Sequence, residues 1–323
     1  MTRFWGNSGG AGFFFYVYNM LFRLTLFVCG LLDVVFIQAQ DKTAYQETGK
    51  LRICVSTGYR VDDIRWSISG NSSGTNPNIY SELIWKNLKS ASVNVNADWQ
   101  FWKQFRIKTS VGQSYIEKGK VTDTDYQEDN RMHSSYYGLF NSNKGTISSA
   151  VAALGYTLGK GKIWSLTPYI GYSIVKETLY LLPADLATPI NLNSTYTAVW
   201  KGLVAGGDME TAISKRVKIG ASCRYYQVIY SAKANWNLIS RYRHPVSFEH
   251  RANGYGIEPS VSAEYLFSGG GFLYFKTGYA YYNTGKGTDK LYLVNGQTDF
   301  TQLNGVIQKT FLANIGFGLT LGK

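Results

Sequence analysis

Apolar side chains in this chain recur at every second position, and that period limits the fold more than any other feature. In FLANIGFGLTL (311–321), Phe311, Ala313, Ile315, Phe317, Leu319 and Leu321 share one face of an extended segment, while Asn314, Gly316, Gly318 and Thr320 share the other. FLYFKTGYAYYN (272–283) sets Leu273, Phe275, Tyr279 and Tyr281 against Lys276 and Gly278, and SAVAALGYTL (149–158) sets Ala152, Leu154, Tyr156 and Leu158 against Gly155 and Thr157. No helical period interrupts these runs. The chain holds 25 Tyr, 17 Phe, 8 Trp and 34 Gly, yet its mean hydropathy is slightly negative. Such a composition does not fit one apolar core; half of every strand faces something polar.

The linkers alternate in length. GKGK (159–162), FWKQ (101–104), TAISK (211–215) and SGGG (268–271) read as tight turns, whereas 120–145, 181–195, 235–253 and 284–303 read as long polar loops. Strands that are greasy on one face, joined by short turns at one end and long loops at the other, predict an all-β fold. The specific expectation is a transmembrane antiparallel up-and-down β-barrel of about ten strands in a bacterial outer membrane. A sheet in hydrocarbon must close so that no edge leaves backbone groups unsatisfied, and aromatic residues gather where lipid meets water. Several runs exceed the roughly ten residues needed to cross, so strands should project beyond the membrane. The competing fold is a soluble β-sandwich.

Residues 20–40, MLFRLTLFVCGLLDVVFIQAQ, carry one Arg, an apolar run and small or polar residues around Ala39. This pattern predicts a signal peptide over 1–40, with Met20 as an alternative start, followed by the barrel domain over 41–323. The run is short for a membrane helix and contains Asp33. Cleavage would remove two of 33 basic and one of 21 acidic side chains, leaving a charge near +11. For an exported chain that surplus points to phosphorylated lipid or acidic glycan, not nucleic acid. Cys54 and Cys223 would remain, too few for a disulfide framework, and the sequence contains no zinc, Walker, nucleophile-elbow or dinucleotide motif. No cofactor is expected.

KGKVTDTDYQED (118–129) places Asp123 and Asp125 two apart, on one side of an extended segment. Carboxyls this close influence each other's ionisation and can hold and polarise a water. A D-x-D in an acidic loop also fits a solvent-facing or ion-binding role.

Residues 81–126, SELIWKNLKSASVNVNADWQFWKQFRIKTSVGQSYIEKGKVTDTDY, resemble the second and third strands of the omptins, with their S-x-L-x-W start and their D-x-D followed by an aromatic, here Tyr126. Residues 50–71 are similar to the omptin first strand, and IGASCRYYQVIYSAKANWNL (219–238) and LYFKTGYAYYNTGKG (273–287) to later ones. The resemblance implies a ten-stranded outer-membrane endopeptidase that binds, and can require, lipopolysaccharide. Such enzymes cleave peptides at the barrel mouth, where an Asp-His pair activates water and a facing Asp pair holds it. Asp123 and Asp125 fall at the Asp pair. Extending the match without a gap puts Asn235 and Asn237 at the Asp-His pair, and Lys233 where the family carries an acid that recognises a basic side chain. Asparagine orients a water but takes no proton, so the general-base step would lose on the order of 10²- to 10⁴-fold.

His244 and His250 lie in the same predicted loop and read as surface residues; Glu249 and His250 should point to opposite sides. His133 and Ser135 form a faint H-x-S resemblance to outer-membrane lipid acyl hydrolases, but Tyr136 stands where those carry Asn. The resulting expectation is an omptin-type barrel, impaired as a protease and acting as a surface adhesin or structural protein, with peptide or extracellular host ligands as partners. The alternative is an active omptin-like, aspartic-type endopeptidase.

Overall fold

The computed structural model describes residues 51–159, 163–185 and 188–322; the leader expected over 1–40 lies outside them. Twelve antiparallel strands form one sheet: β1 (Leu51–Ile68), β2 (Ser81–Trp102), β3 (Phe105–Glu128), β4 (Met132–Asn141), β5 (Gly145–Tyr156), β6 (Trp164–Leu181), β7 (Ser194–Ala212), β8 (Val217–Asn235), β9 (Phe248–Leu266), β10 (Gly271–Thr284), β11 (Gly287–Tyr292) and β12 (Thr298–Leu321). β1 pairs with both β2 and β12, from Leu51↔Leu321 to Ile68↔Leu303, so the sheet closes on itself.

Twelve segments fill ten places in the ring. β3 pairs first with β5, up to Tyr115↔Thr146, and then with β4, from Lys120↔Asn141 upward. β10 and β11 likewise both lie between β9 and β12. The ten-strand count from the sequence therefore holds for the wall, with two staves interrupted.

Outward faces carry the greasy set. Val55 and Tyr59 on β1, Val95 and Trp99 on β2, Val111 and Tyr115 on β3, Ile170 and Ile174 on β6, and Phe311, Ile315, Phe317 and Leu319 on β12 are all exposed. This belt needs only about ten residues per strand, whereas β3 and β12 each have 24. The upper walls therefore stand free of lipid. Much of what read as loop is strand: the predicted loop 120–145 contains the end of β3 and all of β4, and 284–303 contains β11 and the start of β12. Polar alternation there marks a sheet wetted outside, which loop-like composition does not distinguish from a loop.

The lumen is filled. At membrane level Asp98 accepts from Arg106 and Lys108, both at 2.6 Å, and Lys108 also reaches Asp208 at 2.9 Å. Arg52 pairs with Glu264 at 2.6 Å. Buried charges persist only when paired, and each cation here meets a carboxylate. Two cavities of about 160 and 120 Å³ remain between these side chains. Higher up, Arg60 binds Asp62 through two 2.8 Å hydrogen bonds, and Gln308 and Thr310 also donate to Asp62. Above this layer sits an aromatic core: Trp66 stacks on Tyr196 at 5.7 Å, Trp85 lies 5.4 Å from Tyr196, and Trp200 packs on Tyr230 at 4.4 Å.

Candidate functional site at the barrel mouth

Simple alternation along β3 would aim Asp123 outward, because odd-numbered Val111 and Tyr115 face lipid and even-numbered Ser114 and Ile116 are buried. A bulge reverses this. The β2–β3 ladder breaks between Ser90↔Ile116 and Lys86↔Lys120, with equal numbers of residues on the two strands, and on both the buried positions change from even (Ser90, Leu88; Ser114, Ile116) to odd (Trp85, Leu83; Val121, Asp123) across it, so each strand carries its own break in alternation there. Asp63 holds the bulge, accepting from the Asn87 backbone at 2.9 Å and from Lys86 at 3.0 Å. From there Val121 and Asp123 are buried. The Asp pair is thus part of a β-sheet and not of a wet loop rim as its composition implied.

Asp123 lies between Leu83 of β2 and Gly138 of β4, and Asp125 between Ser81 and Tyr136. Asp123 is only 9% exposed, and its Oδ1 has no hydrogen-bond partner. Burial, with the nearby Asp125 charge adding to it, pushes the Asp123 carboxyl up to about 8, against a hydrogen bond from Ser81 that favours ionisation. Burial also raises Asp125; Ser81 and the Arg241 guanidinium oppose it. Near neutral pH Asp123 keeps its proton beside the Asp125 carboxyl, and the pair can share a proton or hold a water between them.

Around the pair stand Tyr80, Tyr136 and, from the β8–β9 connection, Arg241 and Tyr242. Burial and then the Asp125 charge raise the Tyr80 phenol; burial and then both carboxylates raise that of Tyr136. Sequence reasoning missed all four, because no local spacing links them to D-x-D. Only the ring closure brings Arg241 to Asp125.

β8 stands four places from β3 in the ten-place ring, across the lumen from it. Its buried residues are even-numbered: Tyr226, Val228, Tyr230, Ala232 and Ala234. Asn235 lies off that phase and accepts a 2.7 Å hydrogen bond from Nδ1 of the exposed His244. Asn237 ties down the β6–β7 connection: its Oδ1 accepts from the Asn193 backbone and the Ser194 hydroxyl, both at 3.0 Å, and its Nδ2 donates to the Asn191 carbonyl at 2.9 Å. Lys233 is exposed and meets Glu249 at 3.3 Å. His133 is exposed and pairs with Glu128 at 2.7 Å, while the neighbouring Ser134 hydroxyl donates to the Tyr136 carbonyl at 3.0 Å.

His250 corrects the surface assignment. It is fully buried, because it shares the inward face of β9 with Phe248. Nδ1 meets the Tyr196 hydroxyl at 2.8 Å, and Tyr196 meets the Tyr230 hydroxyl at 2.5 Å. Nε2 lies 3.1 Å from Asp289 Oδ1 but off the hydrogen-bonding direction. Asp289 Oδ2 accepts from Thr301 at 2.9 Å. Glu249 does point the other way, as expected. The pairing of Asp289 with His250 comes from the β9–β11 register and has no local sequence signal.

The fold resembles that of the crystal structure of outer membrane protease OmpT from Escherichia coli, at a TM-score of 0.67 and 13% identity, covering 87% of this chain and 99% of that one. The translocator domain of autotransporter NalP from Neisseria meningitidis aligns over 94% of this chain and 98% of its own at 10% identity, with a TM-score of 0.38. No curated protein matches by sequence. The family described as Pom, Protochlamydia outer membrane protein, matches residues 54–321. An outer-membrane barrel of omptin-like architecture, the chain belongs to the Protochlamydia outer membrane protein family.

Proposed function

We propose that this protein is an omptin-type barrel impaired as a protease, which serves at the cell surface as an adhesin or structural protein in a lipopolysaccharide-containing membrane. The observation that carries this reading is what acts on the Asp pair from outside β3: Arg241, Tyr80 and Tyr136 supply charge or phenols, and no histidine does. Asn235 binds His244 off the inward phase of β8, Asn237 clamps a loop, and His250 is sealed in an aromatic core. A guanidinium takes no proton from water near neutral pH.

One observation favours the alternative. A protonated Asp123 two residues from the Asp125 carboxyl resembles an aspartic-type dyad. Refolding the barrel with lipopolysaccharide and offering a quenched peptide library separates the two. The impaired reading expects no turnover; turnover abolished by Asp125→Asn and unaffected by His244→Ala would refute it.

A further inference from the structure

Above the bridge between Asn141 and Leu182 the wall of the barrel has a free edge. β6 pairs with β5 as far as Gly145↔Leu179, and Asn141 and Leu182 then exchange backbone hydrogen bonds at 3.0 and 2.9 Å. Beyond that point β4 pairs with β3 and with no other strand among the described residues.

The backbone phase of this edge can be worked out. The Asn141 N–H points to Leu182 and the Ser142 N–H to Gly119 of β3. On the other side, the Tyr126 N–H of β3 bonds Tyr80 and so faces away from β4. Antiparallel pairing alternates, so Tyr136, Gly138 and Phe140 bond β3 while Tyr137 and Leu139 present N–H and C=O to the open side. Those two residues are 63% and 45% exposed, and Met132 and Tyr136 add further apolar surface. Exposed strand edges of this kind are normally short, bulged or blocked by Lys or Pro; β4 is bulged at Ser135, but Tyr136–Asn141 pairs regularly with β3, and Met132–Phe140 carries neither Lys nor Pro.

Charge says what the edge fits. The tip beside it carries Asp125, Glu128 and Asp129, with Asp123 protonated; of the cations there, Arg241 faces Asp125 and Arg131 is already bound by Glu82 at 2.7 and 2.9 Å, which leaves Glu128 and Asp129 without an opposing guanidinium. This acidic tip stands on a chain of net charge +12. Two lysines, Lys120 and Lys144, lie at the floor: Lys120 donates to Asn141 at 2.7 Å and Lys144 sits over the Tyr180 ring. A second copy in the same membrane would present its β4 parallel to this one, the poorer pairing direction.

We propose that the free edge of β4 captures an extended polypeptide as an added antiparallel strand, its backbone bonding Tyr137 and Leu139 and its basic C-terminal part meeting the acidic tip. β4 descends from tip to membrane, so an antiparallel partner rises from floor to tip, which fixes that polarity. Strand addition takes affinity from main-chain hydrogen bonds and specificity from alternate side chains. This deepens the adhesin reading and rests on it.

The test uses the refolded full-length barrel and a labelled nine-residue peptide alternating Val, Thr and Tyr, with arginines in its C-terminal third, read by fluorescence anisotropy. Leu139→Pro removes one outward N–H without touching a β3 hydrogen bond and should weaken binding at least tenfold. Glu128→Lys, which leaves the backbone intact, should weaken it severalfold, more at low salt. A peptide N-methylated on the residues facing β4 should not bind. Absence of binding by the unmodified peptide, equal binding by the N-methylated peptide, or equal affinity for Glu128→Lys would overturn the proposal, even if Leu139→Pro fails to fold. Mass analysis of the same samples keeps the two readings apart: cleavage of the peptide sinks the impaired-protease reading alone, and absent binding without cleavage sinks strand capture alone.

Discussion

Replacing Asp123 by Asn should change how the stability of this barrel depends on pH. Outward apolar residues on β3 end at Tyr115, eight residues or about 26 Å of strand below Asp123, so the carboxyl titrates above the membrane. Its folded value, about 8, lies above its ordinary 3.8. Between those values the native state keeps a proton that the unfolded chain has released, so stability falls as pH rises through the window. At about 1.4 kcal/mol per unit, the three units from pH 5 to 8 cost the native protein about 4 kcal/mol if the site stays dry. Water drawn into the mouth on ionisation lowers this, to about 2 kcal/mol. Asp123→Asn removes the titrating group, so its advantage over the native chain should grow by about 2–4 kcal/mol across that range. The assay is guanidinium unfolding in detergent micelles at pH 5, 6.5 and 8, followed by tryptophan fluorescence. Titrating groups remote from Asp123 are common to both chains and cancel in the difference; Asp125, coupled to Asp123, does not. Parallel pH profiles would refute the reasoning, and with it the assignment of a buried, protonated Asp123.

Further outcomes follow from the packing around the mouth. His250→Leu takes the imidazole from between Asp289 and Tyr196, leaving the Asp289 carboxyl with Thr301 and the Tyr196 hydroxyl with Tyr230, and should destabilise the barrel by about 3 kcal/mol in the same unfolding assay; Tyr196→Phe should cost about 1–2 kcal/mol. Asn237→Ala removes three hydrogen bonds from the β6–β7 connection, and should raise amide hydrogen exchange at residues 188–194 while leaving the global midpoint nearly unchanged. In planar bilayers the native barrel should show negligible conductance, because ion pairs and the Trp66–Trp85–Tyr196 layer fill the lumen; Trp66→Ala with Trp85→Ala should raise it measurably.

The wall was legible because its physics is local. Residues Phe311 to Leu321 alternate between lipid and lumen, and each side chain needs only its two neighbours to define its face. The belt of Val, Ile, Tyr and Phe shows the membrane because hydrocarbon rejects anything else. Above the belt the outer face meets water, polar residues are tolerated on both faces of β4 and β11, and composition no longer separates strand from loop. That is why 120–145 and 284–303 read as loops and fold as strands.

The mouth was less legible for a different reason: its geometry depends on phase and closure. The matched bulge between Lys86 and Ser90 on β2 and between Ile116 and Lys120 on β3 decides whether Asp123 faces in or out, and nothing in D-x-D reports it. Arg241 and Asp125 are 116 positions apart in sequence and meet only because the sheet closes into a ring, and Asp289 and His250, 39 apart, meet only through the β9–β11 register. The same dependence explains how such a barrel can keep its fold while its chemistry changes. Altering a side chain at the mouth costs at most a few kcal/mol locally, whereas the alternating belt and the paired lumen charges are shared by every stave. An Asp pair facing Arg241 therefore needs no compensation in the wall. It needs only that the bulge survive, because a one-residue slip would turn Asp123 out of its buried site and Val121 out of the core.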